Sequence, residues 1–173
     1  MKLTIFLQLI VRFRYSQLME LMEFYTMEER FDADKYWNYG CNCMIHGDRP
    51  LSDMGTGPGV DRLDRKCREY KLCQQCARAQ HGDMCIGEFV SYRRPRTQTI
   101  LNELGVEETH KVCRDSPDTC ERALCECDLQ FAKDHAKVSV GVWKNIGATL
   151  DVSHRIVLLL HILVNLCYWQ KYD

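Results

Sequence analysis

The chain has 173 residues, 46% of them hydrophobic and 27% charged, which is ordinary globular usage and excludes a wholly disordered chain. That length suits one domain with its own core rather than two. The 23 basic and 24 acidic residues leave a formal net charge of −1, so no basic excess points to a nucleic-acid partner.

Taken in chain order, Lys2 precedes an apolar run from Leu3 to Val11 that is long enough for the h-region of a signal peptide. Arg12 and Arg14 follow it without a small-x-small cleavage site. Residues 1–16 therefore read either as a signal peptide or as the start of the first helix. Gln17 to Arg30 carries Leu18, Leu21, Met22 and Tyr25 at helical spacing with carboxylates between them, which predicts an amphipathic helix with a core-facing side. Asp32 to Tyr39 leads into the first cysteine pair, and Gly47 to Gly59 shifts to Gly, Pro, Ser, Thr and Asp, the composition of a loop.

Val60 to Gln80 reads as a second helix, on which Leu63, Cys67, Tyr70 and Cys73 share one face. The alternation in Glu88 to Arg93 predicts a short strand, half of a small hairpin. Ser116-Pro117-Asp118 opens a third helix, with Pro117 in its first turn and Asp118 and Glu121 at capping-box spacing. That helix is expected to run to about Lys137, with Leu124, Cys127, Phe131 and, at its start, Cys120 facing inward. The tail from Ile156 to Trp169 is apolar but shorter than the roughly 18 to 20 residues that span a bilayer, so it reads as a core or interfacial helix.

Eleven cysteines, ten of them between Cys41 and Cys127, stand out. Zinc is the rival to disulfides, but only Cys73-Gln74-Gln75-Cys76 has the two-residue knuckle spacing, and no His pair follows. The pattern favours a disulfide framework formed in an oxidising, extracellular setting. The odd number leaves at least one thiol free or bonded to another chain.

Three segments in order resemble the secreted phospholipase A2 family. Tyr39-Gly40-Cys41-Asn42-Cys43 before a Gly-rich stretch is similar to its calcium-binding loop. Val60-Asp61-Arg62-Leu63-Asp64-Arg65-Lys66-Cys67 is similar to the start of its active-site helix. Cys113, Cys120 and Cys125-Glu126-Cys127-Asp128 are similar to its second long helix. The resemblance implies a mainly α, disulfide-rich fold: an N-terminal helix, a calcium-loop-like segment, two long antiparallel disulfide-linked helices and a small β hairpin. It covers about Leu18 to His135, so residues 17–140 are expected to form the domain and 141–173 a C-terminal extension.

The family's bridges, carried over, imply Cys43–Cys67, Cys73–Cys127, Cys85–Cys120 and Cys113–Cys125. A further family bridge would join positions 66 and 134, where Lys66 and Asp134 stand instead. Cys167 is the candidate partner of Cys41, which leaves Cys76 over.

The resemblance also implies where hydrolysis would be run, and there the chain departs from the pattern. The family's general base is a His, and Tyr70 stands in its place; the Asp that orients it matches Asp128. A phenol, with a reference pKa of about 10, is a poor base near neutral pH. The family's calcium-binding Asp is replaced by Lys71, although Ca2+ requires several oxygen ligands. The loop carbonyls would come from Asn42, Met44 and His46, the last two replacing glycines. Glu69, beside Tyr70, points about 100° away on a helix and reads as a solvated carboxylate.

The expected function is therefore that of a secreted phospholipase A2-like protein impaired in catalysis. It would act as a module that binds a phospholipid membrane surface or an extracellular protein, and no nucleic acid. Arg93, Arg94 and Arg96 are the lipid-binding candidates; Arg62, Arg65, Lys66, Arg68, Lys71 and Arg78 give the second helix a basic face, which reads equally as a solvated charged face diluted by Asp61, Asp64 and Glu69. The alternatives are a calcium-dependent phospholipase A2 acting in lipid metabolism by cleaving the sn-2 ester, and a structural role in the extracellular matrix.

Overall fold

The structure, a computed structural model, describes residues 16–27, 32, 39–43 and 53–149, with side chains as far as Ser139. Helix α1 covers residues 16–26. It buries Leu18, Leu21 and Met22 and half-buries Tyr25, the face that its spacing predicts. Its last turn closes at Thr26, whose hydroxyl donates to the Met22 carbonyl at 2.8 Å. Met27 then takes a left-handed φ of 57°, which ends the helix there; the stretch from Glu28 to Arg30, where the periodicity extends it, lies outside the described residues.

Helix α2, Arg62–His81, starts two residues later than Val60 because Asp61 is its cap. The Asp61 carboxylate accepts from the Asp64 N–H at 2.8 Å, which satisfies one of the free donors of the first turn. It ends at Gly82, whose φ of 94° lets the Gly82 N–H reach back to the Arg78 carbonyl.

Strands β1, Arg96–Leu101, and β2, Glu107–Val112, form one antiparallel hairpin in the register Arg96↔Val112 to Leu101↔Glu107. Its turn is organised by Asn102, whose side chain accepts from the Leu104 and Val106 N–H groups, and by Gly105 at φ 73°. Among the described residues this hairpin is the only sheet, and Glu88 to Arg93 is not a strand. The N–H groups of Phe89 and Val90 turn back to the Ile86 carbonyl and that of Arg93 goes to the Asp115 carboxylate, so no ladder forms.

Helix α3 runs from Cys120 to Thr149, past Lys137 and through residue 140, where the sequence places the end of the domain. Its cap is Thr119 rather than Asp118: the Thr119 hydroxyl accepts from the Arg122 N–H at 3.2 Å. Asp118 sits at φ 60° in the preceding turn, which takes its carboxylate out of the cap position. Leu124, Cys127 and Phe131 are buried, and Cys120 is half-buried.

Helices α2 and α3 lie against each other. Lys66 meets Asp134, Tyr70 stacks on Phe131 and Cys73 is bonded to Cys127. Rising numbers on one helix meet falling numbers on the other, so the pair is antiparallel. One core cluster joins Leu18, Leu21 and Met22 of α1 to Leu63, Cys67 and Tyr70 of α2 and Phe131 and Ala132 of α3. A second joins Ala77, Cys85, Tyr92, Cys113, Leu124 and Cys125 at the other end of the seam. Four bridges, Cys43–Cys67, Cys73–Cys127, Cys85–Cys120 and Cys113–Cys125, tie loop, hairpin base and helices to this seam. Cys41 is also bonded, and Cys76 is an exposed free thiol. Cys167, the N-terminal apolar run and the apolar tail lie outside the described residues.

Candidate functional site

The seam between α2 and α3 is built on one carboxylate. Asp128 is fully buried on α3. Its Oδ1 accepts from the Tyr70 hydroxyl at 2.8 Å and from Gln74 Nε2 at 3.2 Å, and its Oδ2 accepts from the Tyr92 hydroxyl at 2.8 Å. Tyr70 and Gln74 stand four apart on α2, one helical turn, so both donors reach the same acceptor. Tyr92 comes from the irregular segment before the hairpin. Gln17 of α1 fixes that segment by donating to the Tyr92 carbonyl at 2.7 Å. A buried charge is tolerated only when hydrogen bonds replace its hydration, and three donors do so here. The ring of Tyr70 lies on Phe131, centroids 4.5 Å apart.

A second buried carboxylate shapes the loop-like segment. Asp64 on α2 has no exposed surface. It accepts from the Asn42 N–H at 2.7 Å, the Val60 N–H at 3.0 Å, and the Cys41 N–H and Asn42 Nδ2, both at 3.1 Å. The segment 40–43 is thereby clamped onto the start of α2. Gly40, at φ 61°, is the residue that permits this approach, because a Cβ there would land on the Asp64 carboxylate. Asp64 therefore does not dilute a solvated face, as its place among surface charges suggests; it is an internal anchor.

No protein-family model matches the chain. Curated relatives do match, among them three phospholipases A2. The basic phospholipase A2 beta-bungarotoxin A-AL4 chain of Bungarus multicinctus is 30% identical over 113 residues, 65% of this chain and 68% of that protein. The acidic phospholipase A2 beta-bungarotoxin A3 chain of the same species is 29% identical over 110 residues, 62% of this chain and 60% of that protein. A basic phospholipase A2 of Micrurus corallinus is 29% identical over 103 residues, 60% of this chain and 58% of that protein. The last two are thus matched over less than two thirds of their own length. The chain belongs to the phospholipase A2 family.

Of the positions that the phospholipase A2 resemblance marks out, the structure brings Tyr70 and Asp128 into contact. Lys71, the next residue on α2, is 3% exposed and is not part of a solvated basic face. Asn42 is buried with its backbone N–H and side-chain amide both committed to Asp64. Met44 and His46 lie outside the described residues. Among the described residues no group of three His, Cys, Asp or Glu side chains could hold a metal ion. Glu69 is exposed and bound to Lys66 Nζ at 2.6 Å. Lys66 also reaches Asp134 at 3.5 Å, so an ion pair occupies the positions of the missing family bridge.

Beside this joint lies an imidazole that the sequence did not single out. His135, one turn beyond Phe131 on α3, packs edge-on against that ring at 5.8 Å and is buried. Burial pushes its pKa down to about 4, so it is neutral at physiological pH. Its neighbour Asp134 is held below the ordinary carboxylate range. Burial alone would raise it, but a hydrogen bond from Gln130 and the charge of Lys66 outweigh that.

The arginine cluster is exposed but largely spoken for. Arg93 pairs with Asp115 at 3.9 Å and Arg94 with Glu20 at 2.5 Å. Arg93 borders an open groove of about 410 Å³ that Asp115 and Glu121 also line. Of the three, Arg96 alone has no carboxylate partner among the described residues. Gln74, Tyr92 and Asp64 are the site residues that pattern reasoning missed. A carboxylate one residue after an apolar position, at a helix start that follows a Gly-rich loop, is the only signal that could have marked Asp64.

Proposed function

We propose that the chain is a secreted, catalytically silent member of the phospholipase A2 family that binds phospholipid surfaces. The observation that carries this reading is the hydrogen bond from Tyr70 to Asp128. Ester hydrolysis needs a base to take a proton from water. A phenol whose proton is directed at a buried carboxylate is a donor in place; removing that proton would set a phenolate against Asp128. The residues also do not fit a calcium ion. Lys71 brings an ammonium, which has no lone pair to offer, to the position of the family's carboxylate ligand. The alternative, calcium-dependent cleavage of the sn-2 ester, would need both parts. Secretion is supported by the bridges, which form and persist in oxidising compartments.

The test reads hydrolysis and binding together. The oxidised chain is mixed with vesicles of phosphatidylcholine and phosphatidylserine, with millimolar calcium or with a chelator. Sedimentation with the vesicles under both conditions, without fatty-acid release, is the expected result. Binding that requires calcium, or release that does, would restore the enzymatic reading; no binding under either condition would redirect the search to a protein partner.

A further inference from the structure

The described cations of this molecule fall into two groups, those with a carboxylate partner and those without. Lys66, Arg78, Arg93, Arg94, Arg122 and Lys137 each meet a carboxylate within 4 Å. Lys71 is buried. Arg96, Lys111, Arg114 and Lys133, each on a different element, have no carboxylate partner among the described residues, and neither do Arg62, Arg65 and Arg68, which are all exposed and follow one another on α2. At three-residue spacing they form one row about 9 Å long on the solvent side of the helix. The only other acids in α2 are Asp64, which is buried, and Glu69, which is taken by Lys66. Gly59 lies close enough that a Cβ would touch the Arg65 stem, so the row begins on a firmly seated turn.

The row does not end in polar surface. Leu72, 44% exposed, lies one turn beyond Arg68, and the exposed Cys76 and Ala79 continue the same face. A helix face with guanidinium groups at one end and small apolar groups at the other suits a phospholipid surface, where phosphates meet the charges and the acyl boundary meets the apolar part. A soluble polyanion would leave the apolar half unused. The other exposed apolar cluster, Ile100, Leu101, Leu104 and Val106 at the hairpin tip, is flanked by Glu103, Glu107 and Glu108, with no Lys or Arg from Thr97 to His110. An anionic surface would repel it.

The geometry points to the outer face of α2, through Arg62, Arg65, Arg68 and Leu72, as the surface that docks on an anionic phospholipid bilayer, in place of the Arg93–Arg96 cluster. This rests on the proposed lipid-binding function and names the surface that performs it.

The experiment compares the wild type with R62E/R65E/R68E and R93E/R94E/R96E in co-sedimentation with phosphatidylcholine vesicles, with and without phosphatidylserine. Both triple variants change exposed side chains, and the milder R65Q/R68Q repeats the test should the first fail to fold. The α2 triple variant is expected to lose roughly 100-fold or more in partitioning onto the anionic vesicles. The cluster variant is expected to lose only a few-fold, and wild-type binding is expected to weaken as salt rises. Loss confined to the cluster variant would overturn the α2 surface while leaving the lipid-binding function intact. So would binding that ignores phosphatidylserine and disappears in L101D/L104D. No wild-type binding to either vesicle would overturn both.

Discussion

At the scale of single residues, two buried carboxylates each gather several hydrogen-bond donors. Asp128 accepts from three donors on two segments, and Asp64 from four donors on the loop-like segment and the turn before α2. Removing an acceptor strands every donor that faced it. Asp128→Ala is therefore expected to cost about 3–5 kcal/mol, and Tyr70→Phe, which removes one donor and keeps the ring stack on Phe131, about 1–2 kcal/mol. Urea unfolding of the oxidised protein checks both, and equal costs would contradict the central role of Asp128.

His135 makes a second prediction at this scale. Its folded pKa of about 4 lies below the ordinary value of 6.5, so the unfolded chain binds the proton first as pH falls. The associated stability is fully present above pH 6.5 and is lost as pH drops toward 4, by about 3 kcal/mol. In His135→Leu the decline across that window should flatten, leaving only the carboxylate losses at lower pH. The contact between Tyr70 and Asp128 was legible in the sequence because both lie in the motifs that carry the resemblance. The burial of Asp64 and Lys71 was not. It is created by chain folding over α2 from elsewhere, and helical periodicity reports only which residues share a side.

Among the elements, the α2–α3 seam is held by unlike fasteners. Cys73–Cys127 closes a loop of 54 residues at its middle, whereas Lys66 and Asp134 meet near its end with side chains 31% and 18% exposed. Removing the bridge with Cys73→Ala and Cys127→Ala is expected to cost about 2–5 kcal/mol. Lys66→Ala should cost no more than about 1 kcal/mol, because water and salt screen a pair so near the surface. Thermal unfolding of the two variants compares them directly, and a larger loss in the Lys66 variant would contradict this ranking. The four bridges coincide with the pairs that the resemblance implies.

The hairpin teaches the opposite lesson. All of β1 and the first half of β2 are exposed, so no inward–outward alternation marks these strands, and the alternation further upstream misleads. A two-stranded hairpin is marginal alone. This one is moored to α1 by the Lys111 N–H, which donates to the Tyr25 hydroxyl at 3.0 Å, and by the Lys111 ammonium 4.6 Å over the Phe24 ring. Tyr25→Phe should speed amide exchange in β2 while leaving α2 and α3 unchanged; unchanged protection of the Lys111 amide would contradict the mooring.

For the molecule as a whole, a near-zero net charge conceals an uneven distribution. Among the described residues, Lys66, Arg78, Arg93, Arg94, Arg122 and Lys137 are each paired with an acid, and the hairpin tip is acidic and apolar. The outer face of α2 keeps three arginines without a carboxylate partner among the described residues. The family scaffold persists because its bridges, caps and buried carboxylates are stability features that do not depend on turnover. The position of the base can then hold a phenol, and the position of the cation ligand an ammonium, without loss of the fold. The most direct test is fatty-acid release from mixed anionic vesicles by the oxidised chain and by Tyr70→Phe, each with and without millimolar calcium. The account predicts no release above the protein-free rate from either protein. Calcium-dependent release by the wild type would contradict it, and release that survives Tyr70→Phe would place the base elsewhere in the chain.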